Sequence, residues 1–266
     1  MSGAYAAGTR SWETLAEVDG VVLRASGQGE PLLVLPGMEG DGTSCLQLVG
    51  EVQRALADRR ALRVVLVDYA AEQQRSLEEL ESVVVRLVGT AGLQPAVVWG
   101  QSFGCLLAAS VARTTRPSRL VLVSPFTDLP ASRDVAARLL AFVPRPLYRA
   151  TSTPVCRWVF GPAHGQEGAA FLASLREGDP VDVSRRASWL RDRDRRDHFE
   201  GLLDERAAVW FGTRDRLVDL RGQLEVFAEL GGEACRPCLV PRCGHVVLPA
   251  TAVAFLTERL TAWLAG

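Results

Sequence analysis

Three residues of this chain belong to the types that together activate a hydroxyl group, and each directly follows a short apolar run. They are Ser102 in "VVWGQSFGCLL", Asp215 in "AAVWFGTRD" and His245 in "CRPCLVPRCGH". A serine hydroxyl is a weak nucleophile at neutral pH. To attack a carbonyl it needs a base beside it, a carboxylate that orients the base, and donors for the oxyanion that develops. Ser102 sits between Gly100 and Gly104, giving Gly-x-Ser-x-Gly, a pattern that gains meaning only at a strand-to-helix corner. The competing reading is a serine that merely caps the following helix.

Each partner has rivals. The chain has three histidines. His245 follows the last apolar strand, whereas His164 lies in the loop "GPAHGQ" and His198 in a charged run. Among carboxylates, Asp215 follows the strand "VWFG" through a short turn. Asp219 is four residues further on, and Asp68 ends "RVVLVD". A single loop aspartate is usually a turn former. Ser, Asp and His in that chain order, each at a strand end, form a far more specific pattern. For the oxyanion, the amide of Phe103 opens a helix, where free N–H groups point outward. The second donor is expected from the loop after "LLVLPG", at the amide of Met38.

The elements that would position these groups read as an α/β chain with a mostly parallel sheet flanked by helices. Expected strands are Val18–Ala25, Pro31–Gly37, Arg63–Tyr69, Ala96–Gly100, Arg119–Phe126, Ala207–Asp215 and Cys235–Pro241. Helices are expected near Ser44–Ala57, Leu77–Val88, Phe103–Thr114, Leu217–Leu230 and Ala250–Ala265. Ser76 and Glu79 fit a capping box at the second of these. In a parallel sheet the carboxyl ends of the strands share one edge, where ligand sites gather. Ser102, Asp215 and His245 all emerge there.

The alternation stops between about Thr127 and Arg206. Prolines and short helical patterns mark this stretch as a helical insertion, which divides a core of 1–126 and 207–266. Its run "RRASWLRDRDRRDHFEGLL" alternates charge at helical spacing and reads as a solvated helix face with local ion pairs, with an anion-reading arginine patch as the alternative. Phe142, Leu147, Tyr148, Trp158, Phe160 and Trp189 divide between the insertion's own core and a pocket wall.

Composition bounds the partners. The chain is 48% hydrophobic with a net charge of −1, which argues against a nucleic acid or an anionic membrane held by a basic field. Every basic residue is Arg, while Lys, Ile and Asn are absent, a bias expected of a GC-rich, bacterial genome. No apolar stretch is long enough to span a membrane and the start lacks signal-peptide character, so a cytoplasmic location is the default expectation. The six cysteines then count as thiols. Cys235, Cys238, Cys243 and His245 suggest a zinc site by type, but residues three apart in a strand face opposite ways, so no metal and no other cofactor is expected. Cys105 and Trp99 read as packing.

With these residues in place, the chain resembles the α/β-hydrolase superfamily in its serine-nucleophile branch, from about Val18 to the C-terminus. The resemblance implies Ser102 as nucleophile, Asp215 as triad acid, His245 as base, and the amides of Met38 and Phe103 as oxyanion hole. It also implies that the insertion, 127–206, is a cap over the active site. Many members begin the oxyanion loop with His-Gly. Here it runs Pro36-Gly37-Met38-Glu39-Gly40, which looks more like thioesterases of fatty-acid and polyketide pathways. The implied reaction is hydrolysis of a carboxylic ester or thioester of a small-molecule acyl substrate through an acyl-enzyme on Ser102. The alternatives are an acyltransferase or cyclase with the same triad, or a slow-turnover ligand-binding protein.

Overall fold

A computed structural model describes residues 11–130, 142–150, 154, 179–190, 194–246 and 250–265. Its centre is an eight-stranded sheet: β1 (Glu13–Val18), β2 (Val21–Ser26), β3 (Glu30–Leu35), β4 (Leu62–Asp68), β5 (Val97–Gln101), β6 (Arg119–Val123), β7 (Ala207–Gly212) and β8 (Cys238–Val240). The spatial order is β1-β2-β4-β3-β5-β6-β7-β8. β1 and β2 pair antiparallel, as do β2 and β4, and every later pairing is parallel.

The expected strand Val18–Ala25 is in fact the second half of a hairpin. Asp19 and Gly20 form its two-residue turn, with φ of 51° and 77°. Asp-Gly tolerates positive φ at both central positions, the geometry that matches the twist of the flanking strands. The edge strand β1 escapes the apolar signature because one face of it, with Thr14 and Glu17, stays exposed, as does Glu13 at its start.

Alternation along the buried strands explains the layers. Leu33, Leu35, Val65, Val67 and Val98 enter one core, with helices α2 (Leu77–Thr90), α3 (Gly104–Thr115) and α5 (Leu220–Gly231) against that face. Leu32, Val34, Val64, Leu66, Val97 and Trp99 enter the other, against α1 (Leu46–Leu56) and α6 (Ala250–Ala265). A sheet covered on both faces needs apolar side chains in both directions, so its strands read as continuous apolar runs. Ser76 caps α2 by accepting from the Glu79 amide at 3.2 Å. Glu79 reaches back one residue beyond the expected box, to the amide of Arg75 at 2.8 Å.

Within the insertion, α4 (Pro180–Ser188) starts at Asp179, whose side chain accepts from the Val181 amide at 2.9 Å, and a 3-10 turn spans Arg196–His198. The expected solvated helix face is corrected at two of its arginines. Arg186 and Arg195 are buried, and their carboxylate partners Glu72 and Glu78 lie more than a hundred residues upstream. Local ion pairs do form, Arg185 with Asp182 and His198 with Asp197, but the periodicity that puts charges on one face says nothing of what that face packs against, so the burial of Arg186 and Arg195 went unread. Phe142 and Leu147 are exposed, Tyr148 is buried, and Trp158, Phe160 and His164 lie outside the described residues.

His198 also reaches across the fold. Its Nε2 is 2.8 Å from Glu81 and its Nδ1 3.1 Å from Asp197. Burial works against the charged ring, but the hydrogen bond and charge of Glu81, then those of Asp197, outweigh it and raise the pKa above the usual histidine value. A raised folded-state pKa contributes stability below the unfolded value and loses it as pH rises through the folded one. His198→Gln is therefore expected to cost most stability on the acid side of neutrality. Urea unfolding at about pH 5.5 and about pH 8.5 checks this, and an equal cost at both would refute it.

Candidate active site

The carboxyl ends of β3, β5, β7 and β8 deliver the site. β5 runs into Ser102, which takes a left-handed conformation with φ of 54°. A non-glycine residue there is strained by about 1 kcal/mol or more and persists only where the surroundings fix it. Two contacts fix it here. The Ser102 amide donates to the Val123 carbonyl at 2.8 Å, and its own carbonyl accepts from the Cys105 amide at 2.9 Å in the turn that opens α3. The N-cap of α3 is Phe103, with no side-chain cap bond, so the helix-capping alternative for Ser102 fails.

The hydroxyl turns instead to His245. Ser102 Oγ lies 2.6 Å from His245 Nε2, and His245 Nδ1 lies 2.7 Å from Asp215 Oδ2. A ring nitrogen facing a carboxylate carries the proton, so Nδ1–H donates to Asp215 and Nε2 is left to accept from the hydroxyl. All three residues are buried. Asp215 is held by its other oxygen, which accepts from the amides of Leu217 at 2.9 Å and Val218 at 3.4 Å. This turn occupies residues that the helical pattern assigned to a helix from Leu217, and α5 starts only at Leu220.

The rivals go elsewhere. Asp68 pairs with Arg24 across the antiparallel β2–β4 pair, at 3.1 Å. Asp219 is the N-cap of α5. His198 binds Glu81, as above. The cysteines separate: Cys235 lies in the core on the α3 face, and Cys243 in the core on the α1 face. Cys105, behind the elbow, donates to the Val123 carbonyl, and burial pushes its thiol pKa up.

The Ser102–His245–Asp215 relay makes this a serine hydrolase by geometry. The sequence pattern of the alpha/beta hydrolase family matches residues 7–258. The chain belongs to the alpha/beta hydrolase family. Solved structures agree on the fold of this family member. It is similar to an esterase from Exiguobacterium antarcticum, with a TM-score of 0.73 at 16% identity over 92% of this chain and 96% of that one. It is similar to an enol-lactonase from Burkholderia xenovorans, with a TM-score of 0.71 at 19% identity over 96% and 100%. A thermophilic esterase from Thermogutta terrifontis gives 0.69 at 18% identity over 97% and 98%. No curated protein matches the chain.

Around the relay of this alpha/beta hydrolase lie groups that sequence reasoning missed. Tyr69, buried at the end of β4, donates to the carbonyls of Pro36 and, at 2.7 Å, Gly37. Burial and the nearby Glu39 carboxyl push its pKa well above the usual phenol value, so it stays a donor. Arg186 of α4 donates to the carbonyls of Met38, Tyr69 (2.8 Å) and Ala70 (3.2 Å), and pairs with Glu72 at 3.0 Å. Phe126 lies against His245, ring centroids 6.4 Å apart. The only advance signal was that Tyr69 ends a strand at the shared edge. Among the described residues, no helix is long and apolar enough to cross a membrane.

Proposed function

We propose that this serine hydrolase cleaves a carboxylic ester or thioester of a small or medium acyl group, with the amides of Met38 and Phe103 as its oxyanion hole. The observation that carries the reading is the continuous hydrogen-bonded relay from Ser102 through His245 to Asp215. Ser102 Oγ attacks the carbonyl carbon as its proton passes to His245 Nε2. The imidazolium then gives that proton to the leaving alcohol or thiol, and the acyl group stays on Oγ. A water, deprotonated by the same nitrogen, attacks the acyl carbon and releases the acid and free Ser102.

Two features support the oxyanion assignment. The Gly37 carbonyl accepts from both Tyr69 Oη and the Gly40 amide (3.0 Å). A trans peptide directs its N–H opposite to its C=O, so the Met38 N–H faces away from Tyr69. Phe103 lies at the uncapped start of α3, where the helix dipole also favours a negative charge. Residues 127–206 are proposed as the cap that selects the acyl group, over a core of 1–126 and 207–266.

The test is a panel of p-nitrophenyl esters and acyl thioesters of graded chain length. Steady turnover with an optimum at short or medium chains is expected. A burst whose release depends on an added acceptor would replace hydrolysis by acyl transfer. A single slow turnover would make the protein a receptor.

A further inference from the structure

The guanidinium of Arg186 is among the largest fully buried side chains of the molecule and lies outside the catalytic relay. Its position is determined on every side. Nε pairs with Glu72 Oε1 at 3.0 Å, and the Glu72 side chain is itself wholly buried. Nη1 donates to the carbonyl of Met38, and Nη2 donates to those of Tyr69 at 2.8 Å and Ala70 at 3.2 Å. The guanidinium carbon also lies 5.4 Å from the centre of the Tyr69 ring, the same Tyr69 whose hydroxyl holds the Pro36 and Gly37 carbonyls. Arg185, next to it, completes the pairing of Glu72 at 2.6 Å.

Three residues later, at the end of the same helix, the Trp189 ring lies 6.3 Å from the ring of Phe103. Positions three apart share a helix face. One face of α4 thus touches both residues assigned to the oxyanion hole, Met38 through Arg186 and Phe103 through Trp189. Lysine could not replace the arginine. A planar fork serves a carboxylate and several carbonyls together, whereas an ammonium acts as a point charge on a flexible stem.

We propose that Arg186 is a positioning residue for catalysis, which locks the Met38 end of the oxyanion loop from the cap helix and so makes the chemical step depend on α4 being docked. The inference rests on the Met38 amide being an oxyanion donor. With the Met38 carbonyl and its neighbours Pro36 and Gly37 all held, the loop peptides cannot rotate, and the Met38 N–H keeps its aim at no cost when charge develops. Without the fork, the Met38–Glu39 peptide is released, and the Gly37–Met38 peptide that carries the donor N–H is held only through its Gly37 carbonyl, by Tyr69 and the Gly40 amide, so the N–H can swing about that one anchor. Substrate binding away from the oxyanion would be unaffected.

The test compares Arg186→Met, Arg186→Lys and the charge-balanced double variant Arg186→Met with Glu72→Gln. Each is first shown to be folded by circular dichroism. Removing a whole oxyanion donor costs roughly 100- to 1,000-fold in kcat, so misaiming one is expected to cost about 10- to 100-fold, with KM within about threefold. Arg186→Lys is expected to recover thermal stability while kcat stays low. A second readout is the pKa of the hemiketal hydroxyl that an alkyl trifluoromethyl ketone forms on Ser102, followed by carbon NMR. A weakened oxyanion hole raises it by about one unit for a tenfold loss. Folded variants with wild-type kcat and an unmoved hemiketal pKa would overturn the proposal, as would a loss confined to KM. Replacing the Met38 amide by an ester, through incorporation of the α-hydroxy acid, separates the premise from the proposal. If the ester leaves the hemiketal unchanged, the donor assignment fails. If the ester weakens it and the Arg186 variants do not, only the role of Arg186 fails.

Discussion

Ser102→Ala is expected to abolish labelling by a fluorophosphonate and to lower kcat on the order of 10⁴-fold or more, since the residues of a triad act as a unit. Undiminished labelling of the variant would overturn the assignment of the nucleophile. A twin variant, Ser102→Gly, should be equally inactive but more stable. Both variants lose Oγ and its bond to His245, so the difference between them isolates the backbone. At φ of 54° alanine retains the steric penalty of a Cβ and glycine does not. The glycine variant is expected to exceed the alanine variant by about 1 kcal/mol, or about 2–4 °C in Tm for a chain of this size. Equal melting temperatures would show that the elbow is not strained.

The second large effect is expected at Gly104. A Cβ there would lie 2.1 Å from the Pro36 carbonyl oxygen, 2.2 Å from that of Leu35 and 2.6 Å from its carbonyl carbon. All are backbone atoms, so no side chain can swing aside. Either α3 withdraws from β3 or the start of the Pro36–Gly40 loop is displaced. Gly104→Ala is expected to cost about 3 kcal/mol, the upper range for overpacking, and to lower kcat of the protein that still folds. Gly212→Ala should behave alike, because its Cβ would lie 2.0 Å from the Gly244 oxygen, beside His245. Gly89→Ala is the control. It sits inside α2 with nothing within 4 Å of the added methyl, and should be stabilising by about 0.5–1 kcal/mol. Urea denaturation with steady-state rates decides. A Gly104→Ala protein as stable and active as wild type would refute the close-approach account.

Those glycines also show why so much of the site was legible in sequence. Gly100 and Gly104 flank Ser102 because the strand-to-helix corner leaves no room for side chains, so a packing constraint became a motif. The parallel strands announce themselves through apolar runs, and their ends supply Ser102, Asp215 and His245. Arg186 was not legible. Its partners are 114 to 148 residues away in the chain, and an arginine that will be buried has the same local pattern as one that stays in water. The hairpin at Asp19–Gly20 was missed for a related reason: β1 is an edge strand with an exposed face, so its apolar pattern is weak. The late start of α5 follows from Asp215 taking the Leu217 and Val218 amides, which a helical periodicity cannot register.

The sheet assigns its two ends to different duties. Chemistry gathers where the strands finish, while the turns that lead into the parallel strands, at Asp58–Ala61, Gly92–Gln94, Arg116–Ser118 and Gly232–Arg236, lie at the opposite end and are largely exposed. Those turns are natural points of attachment. A tether, an affinity sequence or a small fused domain placed there would hold the enzyme to a support with the strand ends that carry Ser102, Asp215 and His245 turned away from it.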